Sequence, residues 1–158
     1  MFRTRRHVLL VVLALLLPAA LSACGGAYPD LALAPVEQLR EDIQHQEDDV
    51  RVPYQLALAN PAILSQIPCY CGCPSLHKNV KECFVREVTP DGTVVWDDMG
   101  LSCRICQDIV QDTRQMVRQN KPLVDIRAAI DKKYSRFGPA TDTPPVHAEH
   151  YDRSLTKS

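Results

Sequence analysis

A small, mainly α-helical domain with one β-hairpin is predicted by three features of this 158-residue chain. Two consecutive segments near the carboxyl end place apolar residues at the spacing of an amphipathic helix. Earlier, a Pro90-Asp91-Gly92 turn separates two β-branched runs, Phe84–Val88 and Thr93–Trp96, which predicts the hairpin. Six of the seven cysteines lie between residues 69 and 106. We expect this cysteine-rich loop to pack against the N-terminus of the first amphipathic helix.

The two carboxyl-terminal helices are predicted to be antiparallel and to form most of the core. Ser102 is the expected N-cap of the first helix, whose inward face comprises Cys106, Ile109, Val110, Thr113, Met116 and Val117. The second helix ends at Gly138-Pro139, and its inward face comprises Leu123, Ile126, Ile130, Tyr134 and Phe137.

Shorter helices are predicted in the amino-terminal half of the domain. Pro35 suits a first helical position, and helical spacing continues through Val36, Leu39 and Ile43. Tyr54–Ala59 adds a turn or two. Asn60 is an expected N-cap and Pro61 a first helical position, with a buried side of Ile63, Leu64 and Ile67. Pro68 stops this helix, so the cysteine-rich loop begins on a backbone that has left the helical conformation.

Residues 1–23 have the pattern of an export signal, with a basic start, an apolar run from Val8 to Leu17 and small residues at the end. An uncleaved membrane helix fits less well, because a span needs about 20 apolar residues. Leu21-Ser22-Ala23-Cys24 resembles a bacterial lipobox. That resemblance implies that Cys24 is lipidated and that residues 24–34 tether the domain to the extracytoplasmic face of a bacterial cell membrane. The general and twin-arginine export routes both remain open.

The mature chain predicted in this way is acidic. Removing the three arginines of the signal from 18 basic residues leaves 15 against 19 acidic ones, a net charge of about −4. No basic stripe remains, so nucleic-acid binding has no support. The domain is expected to span residues 35–138. The polar segment 139–158 has little to bury and is predicted to be a disordered tail.

The densest chemical signal is the run from Pro68 to Pro74, which contains Cys69, Cys71 and Cys73. An extended backbone would place the first two thiols on one side, and Gly72 would let the chain fold so that the last two share an ion. Further candidate metal ligands are Cys83, Cys103, Cys106 and His77. The helix N-terminus favours thiolates electrostatically.

Six sulfurs exceed the four that a tetrahedral zinc ion takes, which indicates two ions or bridged Cu(I). Because soft thiolates select Cu(I), we predict Cu(I) as the bound metal and zinc as the alternative. We expect a non-catalytic binding protein, since no hydrolytic or phosphate-binding motif is present.

Two other interpretations of the cysteines stay open. Six exported thiols often form three disulfides, which would leave no metal and give a stapled module that binds an unknown protein partner. A thiol–disulfide oxidoreductase is the third possibility, because Cys103 and Cys106 open a helix at the redox-active spacing. Such enzymes need a larger sheet than the single hairpin predicted here.

The cysteine pattern also resembles a known family. The segment Ile67–Cys73, followed by His77, Cys83-Phe84-Val85 and Cys103-Arg104-Ile105-Cys106, is similar to the bacterial PCYCGC motif-containing lipoproteins, a family of unknown function. The resemblance extends from Tyr54 to Tyr134. It implies a lipoprotein with a cysteine-rich α-helical core, and it supplies no reaction.

Overall fold

The computed structural model describes residues 30–72 and 76–146. The predicted signal peptide, the predicted lipidation site Cys24, the candidate ligand Cys73 and residues 147–158 lie outside the described residues. Within the described ranges, every helix is too short or too polar to cross a membrane.

About half of the described residues are helical, and a two-stranded antiparallel sheet accompanies them, which confirms the mainly α prediction. Two short 3-10 helices, Val36–Gln38 and Val80–Cys83, join the larger elements. The α-helices are α1 (Glu41–Gln44), α2 (Asp48–Ala59), α3 (Pro61–Leu64), α4 (Met99–Ser102), α5 (Arg104–Arg118) and α6 (Leu123–Tyr134). The strands are β1 (Val85–Val88) and β2 (Val94–Trp96).

Helices α5 and α6 bury the apolar faces expected from their spacing. The fully or almost fully buried residues are Cys106, Ile109, Val110, Thr113 and Val117 on α5, and Leu123, Ile126, Ile130 and Tyr134 on α6. Asn120 connects the helices with a φ of 61°, a left-handed conformation that asparagine tolerates. Both Lys133 and Tyr134 donate hydrogen bonds to Asp112, so the end of α6 lies beside the middle of α5. The two helices therefore run antiparallel.

Two predictions at the ends of these helices are wrong. Ser102 belongs to α4, and the N-cap of α5 is Cys103, which makes no side-chain capping bond. Phe137 is 49% exposed because α6 ends at Tyr134. Past the end of the helix, its ring rests against that of Tyr134, with the two centroids 6.0 Å apart.

The amino-terminal helices differ from the prediction in extent. Helix α2 has 12 residues rather than a turn or two. The negative charges of Asp48 and Asp49 in its first turn stabilise it by interacting with the positive end of the helix dipole. The helix expected from Pro35 is interrupted, because Leu39 and Arg40 have extended backbones. Asn60 precedes Pro61 as predicted but does not cap α3 with its side chain.

The hairpin confirms the Asp-Gly turn prediction. Strands β1 and β2 are antiparallel, with an irregularity in register between Val85 and Glu87. Gly92 in the turn has a φ of 87°, which residues with a Cβ rarely adopt. The hairpin leads directly into α4, so it fixes where the chain enters α5 and its cysteines.

The segment from residue 30 to residue 34 is packed on the domain, so the prediction of a tether is wrong for these residues. Leu31 and Ala34 are buried. Asp30 accepts hydrogen bonds from Arg114 and Arg118. Partial burial raises the pKa of Asp30, but the hydrogen bonds from the two arginines outweigh burial and lower the pKa from 3.8 to about 2. The described domain thus begins before Pro35.

Residues 139–146 are likewise ordered against the domain, and the predicted disorder is wrong for them. Thr141 and Thr143 are buried, and their hydroxyls lie 2.9 Å apart. Arg127 donates hydrogen bonds to the carbonyl oxygens of Thr143 and Pro144. A polar segment can be buried when each polar group finds a partner in this way.

Gly100 in α4 provides a test of how tightly this helix packs against the buried aromatic rings. A Cβ at this position would lie 2.4 Å from Cδ1 of Phe84 and 2.8 Å from Cζ of Tyr54. Both rings are fully buried and cannot move aside freely. We therefore expect Gly100→Ala to lower the free energy of unfolding by about 1–3 kcal/mol, as overpacking does. Denaturant unfolding of this variant and of Ser102→Ala, on the same short helix, would measure the difference; equal stabilities would contradict the packing described.

Candidate metal centre

Four cysteine sulfurs, those of Cys69, Cys71, Cys83 and Cys106, lie within 4.8 Å of one another. The sulfurs of Cys69 and Cys106 are 3.3 Å apart. Cys69, Cys83 and Cys106 are fully buried, and Cys71 is partly exposed. We refer to these four sulfurs as the thiol cluster.

Three separate stretches of chain contribute to the thiol cluster. Cys69 and Cys71 come from the loop after α3, Cys83 ends the second 3-10 helix, and Cys106 lies in the first turn of α5. Gly72 follows with a φ of 82°, the left-handed conformation that suits glycine. The Val80 N–H donates a 2.9 Å hydrogen bond to the carbonyl oxygen of Ile67, which ties the first two stretches together.

The carboxyl-terminal segment holds the cysteine loop from the other side. The Cys69 N–H donates to the Thr141 hydroxyl at 2.9 Å, and the Thr141 N–H donates to the Cys69 carbonyl oxygen at 3.0 Å. A Cβ on Gly138 would approach the carbonyl oxygen of Tyr70 to 3.1 Å, so chain and loop are in close contact. Tyr70 is buried and donates a 2.6 Å hydrogen bond to Asp131 on α6.

Cys103 stands beside the thiol cluster as a fifth thiol. Cys103 precedes Cys106 by three residues at the start of α5, which places the two on the same side of the helix, although the Cys103 sulfur lies outside the set of four. Cys103 is partly exposed and begins α5 as its N-cap residue. Cys71 of the thiol cluster and the neighbouring Cys103 are thus the two described cysteines of this region that are partly exposed to solvent. We refer to this pair as the Cys71–Cys103 edge.

The described residues contain no pair of cysteines at disulfide distance. The 3.3 Å between the sulfurs of Cys69 and Cys106 is well above the bond length of about 2.05 Å. It also lies close to the separation of about 3.8 Å that two sulfurs have around one tetrahedral zinc ion. The geometry is therefore compatible with metal binding by thiolates.

Hydrogen bonds among the thiols lower the pKa values of some of them and raise those of others. A hydrogen bond with Cys106 lowers the pKa of Cys69 far below the usual thiol range. Hydrogen bonds with Cys103 and then Cys106 lower the pKa of Cys71 from 9.0 to about 3. The bond with Cys103, followed by that with Cys69, raises the pKa of Cys106. These hydrogen bonds favour the thiolate forms of Cys69 and Cys71.

His77 lies next to the cluster on the side of Cys83. The Nδ1 atom of His77 is 3.8 Å from the Cys83 sulfur, and its Nε2 atom is 3.3 Å from Oδ2 of Asp97. Nε2 and Oδ2 are within ion-pair distance but not aligned for a hydrogen bond. Asp97 in turn accepts a 2.7 Å hydrogen bond from Nε of Arg86. The imidazole is therefore held between a carboxylate and a thiol, as histidines beside metal sites commonly are.

Asp97 and Thr141 are the contributors to the site that the sequence did not reveal. Asp97-Asp98 has the look of a solvated turn, yet Asp97 is buried and also accepts a hydrogen bond from the Met99 N–H at 2.8 Å. No local pattern connects Thr141 with Cys69, because the two are 72 residues apart in the chain. A buried charge following the hairpin is detectable only once the fold is known.

The structure brings together most of the predicted ligands that it describes. Cys69, Cys71, Cys83 and Cys106 form the cluster, and Cys103 lies at its edge. His77 approaches only Cys83 among the described cysteines. Cys73 lies outside the described residues.

A family described as "protein of unknown function with PCYCGC motif" matches residues 30–146. The chain belongs to this family. The resemblance noted in the sequence is thereby confirmed. No curated protein and no solved structure gave a significant match.

Substituting His77 tests how this member of the PCYCGC family supports its cysteines. We expect His77→Gln to weaken metal affinity 10–100-fold with unchanged stoichiometry, because groups behind a ligand orient it and tune its basicity. Competition titration against a chromogenic chelator would measure the affinity. The control is His45→Gln, since His45 is exposed and contacts the carbonyl oxygen of Glu41. Equal affinities for the two variants would contradict this role, and a lost equivalent of metal would make His77 a ligand instead.

Proposed function

We propose that this chain is a membrane-anchored, extracytoplasmic lipoprotein that binds a soft metal ion, Cu(I) in preference to others, through its thiol cluster. The observation that carries the proposal is the convergence of four sulfurs within 4.8 Å from three stretches of chain. Single cysteines are often buried as small apolar residues, but packing alone does not require four sulfurs, one of them partly exposed, to lie this close together. A shared cation would compensate the mutual repulsion of their thiolates.

The donor set supports a soft ion. Every member of the cluster is a cysteine, and hard cations such as magnesium and calcium take oxygen ligands instead. Thiolate sulfur selects Cu(I) and zinc among the common ions. The fifth thiol, Cys103, exceeds the needs of a single tetrahedral zinc and favours Cu(I), whose ions can share bridging sulfurs.

The anchoring part of the proposal comes from the amino-terminal residues. The basic start, apolar run and Leu21-Ser22-Ala23-Cys24 sequence are typical of a lipoprotein signal. An acyl anchor gains roughly 0.8 kcal/mol for each buried methylene group. Metabolic labelling with a radioactive fatty acid would test it: Cys24→Ser should abolish label and release the protein from membranes, and retained label would refute lipidation.

Intact mass of the purified domain in native and denaturing buffers tests metal binding. The protein should be prepared in the presence of equal Cu(I) and zinc. We expect a copper adduct in the native spectrum that disappears on denaturation. A zinc adduct would retain the thiolate site and exclude the preference for Cu(I). A mass lowered by two hydrogens per disulfide, with no adduct, would exclude the metal function and favour a disulfide-stapled module.

A further inference from the structure

The described cysteines in and beside the thiol cluster differ in their exposure to solvent. Cys69, Cys83 and Cys106 are completely buried, whereas Cys71 and Cys103 are the described cysteines that reach solvent. Cys103 lies about one helical turn before Cys106, whose sulfur is within 4.8 Å of that of Cys71. An ion inside the cluster therefore meets the surroundings at the edge formed by this pair.

Hydrogen bonds and core packing hold the buried cysteines of the thiol cluster in place. Thr141 makes two backbone-associated hydrogen bonds to Cys69, and its hydroxyl also contacts that of Thr143. Cys83 lies in the fully buried core together with Val80 and Phe84. Opening the cluster from these sides would break several buried hydrogen bonds or separate core side chains, and both cost free energy.

The open edge is built differently. Gly72, next to Cys71, has no described atom within 4 Å of the position that a Cβ would take, so there is free space on that side of the loop. Cys103 makes no side-chain capping bond at the start of α5. Cys103 lies about one turn before Cys106 and is not one of the four cysteines whose sulfurs lie within 4.8 Å of one another. Cys103 is therefore available as an additional sulfur ligand at the solvent-exposed edge.

We propose that the Cys71–Cys103 edge is a metal-transfer site, through which the bound ion passes to an acceptor protein that presents its own pair of thiolates. This inference rests on the proposed metal binding and adds its direction: the protein exchanges its ion rather than keeping it as a structural element. Thiolate donors on the acceptor match the softness of the ion and of the donors it leaves.

Transfer proceeds by ligand exchange with no change in oxidation state. Cys103 forms a metal–sulfur bond as the bond from a buried cysteine lengthens and breaks, which brings the ion to the edge. An acceptor thiolate then forms a bond to the ion while the bond to Cys71 breaks. In each exchange the incoming thiol releases its proton and the departing cysteine sulfur takes one up, so charge and protons balance. The acceptor's second thiol displaces Cys103 in the same way.

The test compares Cys103→Ser with the neighbouring exposed position, Ser102→Ala. Each Cu(I)-loaded protein is mixed with a short peptide carrying a Cys-x-x-Cys pair, and copper on each component is followed by native mass spectrometry. We expect Cu(I) that is bound to Cys103→Ser to transfer at least tenfold more slowly than Cu(I) that is bound to the wild type. In wild type and Ser102→Ala the rate should rise linearly with peptide concentration, as ligand exchange requires.

Each alternative outcome has a separate meaning. A wild type that retains no Cu(I) refutes the metal function itself. A wild type that retains Cu(I) but releases it at a rate independent of peptide concentration overturns transfer at the edge. So does a Cys103→Ser protein with the wild-type rate. Loss of bound copper from both Cys103→Ser and Cys103→Ala, with native circular dichroism, would make Cys103 a required ligand and also overturn the inference.

Discussion

Cys106→Ser should abolish stoichiometric Cu(I) retention. The Cys106 sulfur is fully buried, lies 3.3 Å from that of Cys69, and is within 4.8 Å of those of Cys71 and Cys83. Serine keeps the size of the side chain but replaces a soft donor by a hard one, which Cu(I) disfavours. We expect the affinity to fall by at least a hundredfold, measured by competition with a chromogenic Cu(I) chelator.

Val110→Thr is the matched control for this substitution. Val110 is fully buried on the same face of α5, one turn beyond Cys106. The threonine hydroxyl costs about 1–3 kcal/mol of stability when it is left without a partner, but it removes no sulfur. The control should bind metal with the affinity of the wild type at a temperature where both variants remain folded. Equal losses of copper in both variants would attribute binding to overall stability and not to Cys106.

Removal of the metal should lower the melting temperature on the order of 15 °C. Ligands that bind the folded state at a thousand times their dissociation constant stabilise it by about 4 kcal/mol, and a domain of this size converts that energy into a shift of this magnitude. The cluster joins three stretches of chain, so metal binding and folding are coupled. Calorimetry with Cu(I), with a chelator and after reloading would measure the shift.

The Cys106→Ser protein supplies the control for that experiment. Its melting temperature should be the same with and without Cu(I), because the cluster has lost a central donor. Wild-type protein whose melting temperature is insensitive to the metal would contradict coupling between the cluster and the fold. A shift that also occurs in Cys106→Ser would place the stabilising ion elsewhere in the chain.

Local patterns in the sequence carried most of the fold. The spacing along α5 and α6 identified Ile109, Val110, Ile126 and Ile130 as core residues, because the 3.6-residue period alone selects one face of a helix. The Asp-Gly turn identified the hairpin for a similar reason. Helix ends were harder: Ser102 is a better capping residue than Cys103 in isolation, but the chain enters α5 through α4.

Long-range packing explains what the sequence did not reveal. Residues 30–34 and 139–146 lack the periodicity of a helix or strand, and their order depends on partners far away in the chain. Asp30 is held by Arg114 and Arg118, and Thr141 by Cys69. Such contacts follow from the final arrangement of helices and leave no local pattern. The cysteines were recognisable as a group because thiols are rare and chemically distinctive, whereas Asp97 resembled any surface acid.

X-ray absorption at the metal edge of the copper-loaded domain examines the cluster itself, since it reports the atoms bonded to the ion. We predict a first shell made only of sulfur, with three or four neighbours at about 2.3 Å, and a reduced number of sulfurs in Cys106→Ser. A first shell of nitrogen or oxygen would contradict the account, because the ion would then be bound outside the thiol cluster.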